Sequence, residues 1–153
     1  MIETVQSDYR AGLATSPTSS EAVRRPAVQA FWILYIGFIA LPFFAGLDKF
    51  CHVLVNWDMY LAPSIANMLP VSGHTFMLVV GVIEMAAAIL VALYPRVGAW
   101  VVTLWLWGII VNLLLVANFY DIALRDFGLS LGAIALGCLS RGFAFRRFAA
   151  GRG

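Results

Sequence analysis

The chain has 153 residues, of which 62% are hydrophobic and 12% are charged, and its formal net charge is +2. This composition excludes a soluble domain, which needs more charged surface, and it predicts a small integral membrane protein. At this length the chain forms a single domain.

Four stretches of the sequence are long and apolar enough to cross a membrane. Crossing about 30 Å of hydrocarbon takes roughly 20 helical residues, and every backbone polar group there needs an internal hydrogen bond. We therefore predict an all-α, integral membrane four-helix bundle over residues 30–140. Its four predicted apolar runs are Ala30–Leu47, Thr75–Tyr94, Val97–Asn118 and Phe127–Ser140. The last run is short, so the fourth helix has to include residues 121–126, a segment that contains the polar residues Asp121, Arg125 and Asp126.

The two ends of the chain differ in composition from the spans. Residues 1–29 mix Ser, Thr, Pro and charged residues, which predicts a disordered tail. Residues 141–153 form a second tail that alternates Arg with Phe. A basic aromatic segment directly after a membrane helix is typical of an anchor on anionic membrane lipid, so no nucleic-acid partner is expected.

The connection between the first and second spans is itself apolar. Leu54, Trp57 and Leu61 recur there at helical spacing, before Pro63 interrupts the pattern. We predict a short helix in the outer interface, with aromatic side chains at headgroup level. Two interpretations remain open, a lid over a pocket and a lipid-facing anchor.

The distribution of basic residues predicts the orientation of the bundle. Positive residues near helix ends stay on the cytoplasmic side, and with four spans eight of the ten basic residues fall on one side. These eight are Arg10, Arg24, Arg25, Arg96, Arg141, Arg146, Arg147 and Arg152. Both termini are therefore predicted to be cytoplasmic, in a multi-pass protein.

Polar side chains inside the apolar runs predict a functional site. Glu84 lies in the middle of the second span and Asn112 in the outer half of the third. Ionisable groups in hydrocarbon cost several kcal/mol unless they are paired or line a cavity. We predict Glu84 to be a proton carrier or hydrogen-bond acceptor in a pocket open to the outer side. The predicted ligand-binding residues are Asp48, Lys49, His52, Asn112, Asp121, Arg125 and Asp126.

Purely structural interpretations of the same residues stay open. Glu84 could be protonated and hydrogen-bonded to Asn112, which would be a modest packing contact. Asp121 and Arg125 lie one helical turn apart and are expected to form a structural ion pair. Lys49 could extend its ammonium group to the outer interface.

Cysteine and histidine positions limit the cofactors that the chain can hold. Cys51 and Cys138 are predicted at opposite faces of the membrane, so an internal disulfide would have to cross the bilayer. The two histidines, His52 and His74, lie outside the hydrocarbon centre, which argues against a haem held between helices. We predict no metal site, although His74 at the mouth of the second span could contact a ligand.

Short motifs along the chain resemble a known family. They are Gly46-Leu-Asp-Lys-Phe50, Asn56-Trp57, Tyr60-Leu-Ala-Pro63, Glu84, Pro95-x-x-Gly-Ala99 and Tyr120-Asp-Ile-Ala-Leu-Arg-Asp-Phe-Gly128. In order and spacing this set resembles the DoxX-like family of small bacterial membrane proteins, from about Phe31 to Ser140. The resemblance implies a compact four-helix bundle in the bacterial inner membrane. It also implies an acidic residue in the second helix and a polar motif that opens the fourth.

The resemblance further implies a redox setting, because the family takes its name from a membrane subunit of a thiosulfate:quinone oxidoreductase. The chain carries no flavin motif and no iron–sulfur cysteine set, so redox chemistry would need a bound quinone or a redox partner subunit. Two alternatives are a non-enzymatic protein that binds or transports lipid or small molecules, and a structural subunit of a larger complex. Four helices leave little room for alternating access, so a transporter would have to form a homo-oligomer.

Overall fold

In the computed structural model, the described backbone covers residues 19–116 and 118–150, with side chains described for 24–116 and 118–142. It contains five α-helices and one 3₁₀ turn, and no strand occurs within those ranges. The elements are α1 (Ser19–Cys51), the 3₁₀ turn (Trp57–Tyr60), α2 (Pro63–Ala66), α3 (Gly73–Leu93), α4 (Pro95–Val116) and α5 (Tyr120–Ala150). The predicted all-α fold with four long helices is confirmed.

Four of these helices are long and apolar enough to span a membrane. Their candidate spans are Arg24–Cys51, Gly73–Leu93, Pro95–Val116 and Tyr120–Gly142. Large apolar side chains cover their outer faces, such as Leu104, which is 74% exposed, and Ile33, which is 72% exposed. Such a surface is stable against lipid but not in water. The chain is therefore a multi-pass membrane protein.

The first and last helices extend beyond the predicted spans. Helix α1 begins at Ser19 and not at Ala30, so part of the predicted disordered tail is helical. Helix α5 continues past Ser140 to Ala150. Intrahelical hydrogen bonds do not require apolar side chains, and Glu, Ala and Arg in these extensions favour helix. Residues 1–18 and 151–153 of the two predicted tails lie outside the described residues.

The connection between α1 and α3 contains two short helical turns where one interfacial helix was predicted. The side chain of Asn56 caps the 3₁₀ turn by accepting a hydrogen bond of 3.1 Å from the Asp58 N–H. Helix α2 then starts at Pro63, which suits a first helical position because proline lacks an N–H group. Pro63 cannot continue the preceding turn, and this is why the segment is divided.

The four long helices pack in a ring in which α1 contacts α3, α3 contacts α4, α4 contacts α5, and α5 returns to α1. The largest buried cluster consists of Phe38, Ala87, Val91, Ala99, Val102, Leu106, Ala133 and Leu136. Small residues are frequent in this core because helices in a membrane associate through close packing. A four-helix bundle results, with the connection carrying the 3₁₀ turn at one end.

Helices α1 and α3 approach most closely at two glycines, Gly46 and Gly81. A Cβ atom on Gly46 would lie 2.5 Å from the carbonyl oxygen of Gly81, and one on Gly81 would lie 2.7 Å from the carbonyl oxygen of Gly46. These added atoms would also approach the side chains of Glu84 and Lys49, each at 3.2 Å. The glycine crossing therefore brings Lys49 and Glu84 together.

Candidate functional site: a buried lysine–glutamate pair

The centre of the candidate site is an ion pair between α1 and α3. The Nζ atom of Lys49 lies 2.5 Å from Oε2 of Glu84, and the two side chains are only 2% and 9% exposed. Because each charge would be costly in this environment alone, the two groups depend on each other. Lys49 does not extend to the interface, and Glu84 does not bond to Asn112, so both of those structural interpretations are wrong.

An aromatic ring covers the lysine on the side of the connection. The Nζ atom of Lys49 lies 3.8 Å from the centroid of the Trp57 ring, within range of a cation–π contact. It also donates to the carbonyl oxygen of Ala45, 3.5 Å away in the preceding turn of α1. The ammonium group therefore has an anion, a carbonyl and an aromatic face as neighbours.

Asp48 holds Trp57 in that place. The indole Nε1 of Trp57 donates a hydrogen bond of 2.7 Å to Oδ2 of Asp48, and the N–H groups of Val53 and Leu54 donate to Oδ1 at 3.0 and 3.1 Å. A carboxylate that accepts several hydrogen bonds holds the backbone segment that follows α1 in place. Asp48 thus positions the site, and its own oxygens are used within the fold.

Two further side chains lie beside Glu84. Asp126 of α5 is half-buried and interacts electrostatically with both Arg125 and Glu84. The Nε1 atom of Trp105 is buried and makes no hydrogen bond of standard geometry, although it lies close enough to Glu84 to interact with its carboxyl group. A buried donor without an acceptor is costly, and it marks a place that a ligand acceptor could fill.

Asn112 was predicted to bind a ligand, but in the structure its side chain bonds to two backbone groups of the connection. Its Oδ1 accepts a hydrogen bond of 3.0 Å from the Ala62 N–H, and its Nδ2 donates one of 2.6 Å to the carbonyl oxygen of Tyr60. These two bonds tie α4 to the end of the 3₁₀ turn. Asn112 therefore anchors the connection that carries Trp57, and it does not contact Glu84.

Replacing Asn112 by alanine should loosen this connection without unfolding the bundle. The substitution leaves two part-buried backbone groups without partners, which costs about 1–3 kcal/mol for each group that water cannot reach. We expect hydrogen–deuterium exchange at the amide of Ala62 to become much faster, while the amides of α5 stay protected. Asn67→Ala, at an exposed asparagine of the same connection, is the matched control. Unchanged protection at Ala62 would contradict the anchoring role.

The polar residues at the start of α5 only partly join the site. Asp121 and Arg125 are both exposed, and no salt bridge connects them in the described part of the chain. The expected Asp121–Arg125 ion pair is therefore wrong, because Arg125 interacts with its neighbour Asp126 instead. Asp121 remains a first-turn residue, where the helix dipole favours a negative charge.

His52 joins a second group of side chains at the end of the bundle. Its ring stacks on that of His74 with centroids 5.6 Å apart, and Nδ1 of His74 lies 2.9 Å from Oδ2 of Asp58. Ligand atoms of these three residues all lie within 4.8 Å of one another. The sequence pattern predicted no metal site and did not group these residues. Their proximity depends on the turn after α1, which no local pattern reveals.

Trp57 and Trp105 also lie at the site, although neither was predicted from the sequence. Trp105 lies roughly two helical turns before Asn112, so it shares the polar face of α4. That spacing was the available signal, because a tryptophan on a polar face of a span has an N–H group to satisfy. For Trp57 the signal was its place directly after Asn56, a capping residue that starts a turn.

Comparison with protein-family models, with curated proteins and with solved structures gave no match to this chain. The geometry alone carries the functional argument. Within a low-dielectric bundle the site offers a cationic donor at Lys49, a proton acceptor at Glu84 and a free N–H group at Trp105. This set can bind a carbonyl or anionic headgroup and can exchange a proton with it.

Proposed function

We propose that the protein is a DoxX-like membrane subunit of a quinone-linked redox complex, in which the Lys49–Glu84 pair binds the headgroup and exchanges its proton. The observation that carries this proposal is the buried pair itself. A buried ion pair contributes little net stability compared with apolar residues of similar size. Ionisable residues inside spans are accordingly most often part of ligand or proton pathways.

The donor set around the pair fits a quinone. The carbonyl oxygens of a quinone accept hydrogen bonds, and the site has two N–H donors, the Lys49 ammonium group, which also donates to Glu84, and the Trp105 indole. Trp57 adds an aromatic face beside Lys49. A bound quinone would supply the electron-transfer chemistry, and Glu84 would hold or release a proton next to the headgroup. Electrons would come from a redox partner subunit.

The charge distribution supports an orientation for this site. Arg24 and Arg25 lie at the start of the α1 span, Arg96 lies at the start of α4, and Arg141 lies near the end of the α5 span. Because consecutive spans alternate in direction, these exposed residues lie at the same end of the bundle. Helix ends that carry positive residues are retained on the cytoplasmic side of a membrane. We therefore propose that the protein lies in the bacterial inner membrane with both termini in the cytoplasm. The Lys49–Glu84 pair and the connection then lie toward the outer side.

The test is a titration of the full chain in lipid nanodiscs with decylubiquinone, in which quenching of the tryptophan fluorescence measures binding. We expect saturable quenching for the native chain. Glu84→Gln keeps the size of the side chain, and Trp105→Phe removes the indole N–H group but keeps an aromatic ring. Each should weaken binding roughly tenfold or more, since hydrogen bonds to charged or buried groups contribute about 1.5–3 kcal/mol.

Ser140→Ala is the matched control for this titration. Ser140 is also buried and polar, but it bonds only to the carbonyl oxygen of Leu136 near the other end of the bundle. The Ser140→Ala variant should bind decylubiquinone with the same affinity as the native chain. Non-saturable quenching, or equal affinity for Glu84→Gln and the native chain, would refute the quinone proposal. Phospholipid as the sole molecule retained after gentle extraction would favour the lipid-binding alternative.

A further inference from the structure

We propose that His52, Asp58 and His74 form a binding site for a divalent transition-metal ion of the zinc type. Each residue offers one ligand atom, and these atoms all lie within 4.8 Å of one another. The residues come from three elements: His52 follows α1, Asp58 lies in the 3₁₀ turn, and His74 lies in the first turn of α3. None of them contributes to the Lys49–Glu84 pair.

The ligand chemistry is that of an open zinc site. Two imidazoles and one carboxylate bind zinc at about 2.0–2.2 Å, and a water molecule or substrate takes the fourth position. The three side chains have to move toward a common centre by small rotations. They are free to do so, because His52 and His74 are exposed and Asp58 is partly exposed. Carboxylate, carbonyl and water ligands alone would favour calcium or magnesium, whereas imidazole favours zinc, copper and nickel.

The backbone at His52 brings its ring to this place. Its φ angle is 54°, and no other non-glycine residue in the described ranges has a positive φ. Helices commonly end with a single residue in this left-handed conformation, and the N–H of His52 donates to the carbonyl oxygen of Asp48, 2.6 Å away. Here the turn places the His52 imidazole against that of His74.

Asp58 provides a second, independent indication of a cation. Its Oδ2 contacts Nδ1 of His74 at 2.9 Å, while its Oδ1 is buried and has no hydrogen-bond partner among the described residues. A carboxylate oxygen without a donor is an unsatisfied charge, and a metal ion satisfies it directly. Its bond to His74 also resembles the carboxylate–histidine contact that orients metal-binding imidazoles.

A metal ion here would fasten the connection to both helices. The 3₁₀ turn that contains Asp58 begins with Trp57, whose ring lies over Lys49. Binding at the three ligands would therefore join the end of α1, this turn and the start of α3. Because an ion that binds only the folded state adds to its stability, the melting temperature should rise with zinc concentration.

The test is isothermal titration of the full chain in detergent micelles with ZnCl₂. We expect saturable binding, and an affinity reduced by at least about tenfold in His52→Asn, Asp58→Asn and His74→Gln. Even residues that only orient a ligand cost about 10–100-fold in affinity when they are replaced. Asparagine at position 52 tolerates the left-handed conformation, so the turn is retained. Melting curves without metal check that each variant folds.

Two controls separate this site from other zinc ligands nearby. Cys51→Ser removes an exposed thiol next to His52, and Asp121→Asn removes an exposed carboxylate at the start of α5. Both should bind zinc as the native chain does. The proposal is overturned if the native chain shows no saturable binding, if the histidine variants keep full affinity, or if Cys51→Ser abolishes binding.

Discussion

Replacing Lys49 by methionine should lower the free energy of unfolding by about 3–5 kcal/mol, the usual cost of leaving one partner of a buried ion pair alone. Methionine resembles the lysine side chain in length but has no charge. It leaves Glu84, 9% exposed at its side chain, without a counter-ion. The measurement is an SDS titration of the detergent-solubilised chain, with helix content followed by circular dichroism.

A double variant identifies the source of this loss. Lys49→Met combined with Glu84→Met removes both charges, and we expect it to recover most of the stability, because apolar replacements of buried pairs are often neutral or better. Arg125→Met, at an exposed cation of α5, is the matched control and should change stability by less than about 0.5 kcal/mol. A single variant as stable as the native chain would show that Glu84 does not need Lys49.

Replacing Gly46 by alanine should destabilise the bundle by about 1–3 kcal/mol, the usual cost of an added methyl group in a packed core. The new Cβ would lie 2.5 Å from the carbonyl oxygen of Gly81, and that backbone atom cannot rotate away. Helices α1 and α3 would have to separate, which would lengthen the contact between Lys49 and Glu84. The same SDS titration measures the stability, and if the proposed function holds, the affinity for decylubiquinone should fall in parallel.

Gly37→Ala is the matched control on the same helix. Nothing lies within 4 Å of a Cβ at Gly37, so alanine there adds no clash and removes the entropic cost of a helical glycine. We expect it to stabilise the chain by roughly 0.5–1 kcal/mol. Opposite signs for the two substitutions would confirm that the crossing is the close contact. Equal effects would mean that helix propensity alone governs both positions.

The candidate site was predictable in part. Glu84 stands out in an apolar run because water is absent there and a carboxyl group is costly. Lys49 stands out less, since a lysine near a helix end usually extends to the interface. Its pairing with Glu84 depends on where α1 and α3 cross. That crossing is set by the contact of Gly46 with Gly81, two glycines far apart in the chain.

The fold of the connection between α1 and α3 was also predictable only in part. The helical spacing of Leu54, Trp57 and Leu61 predicted a helical segment, and the structure contains two short turns there. The partners of Asn112 could not be predicted, because both are backbone groups whose positions depend on how the connection folds back. The grouping of His52, Asp58 and His74 depends likewise on one left-handed residue.

The sequence by itself determined the membrane class, the number of long helices and their approximate bounds, because these follow from the length and apolarity of local runs. It also determined that Glu84 needs a partner. Only the tertiary structure decided that this partner is Lys49, that Asp48 and Asn112 hold the connection, and that two histidines meet. These contacts join residues from different elements of the fold, so they depend on how the elements pack against one another and not on any local pattern.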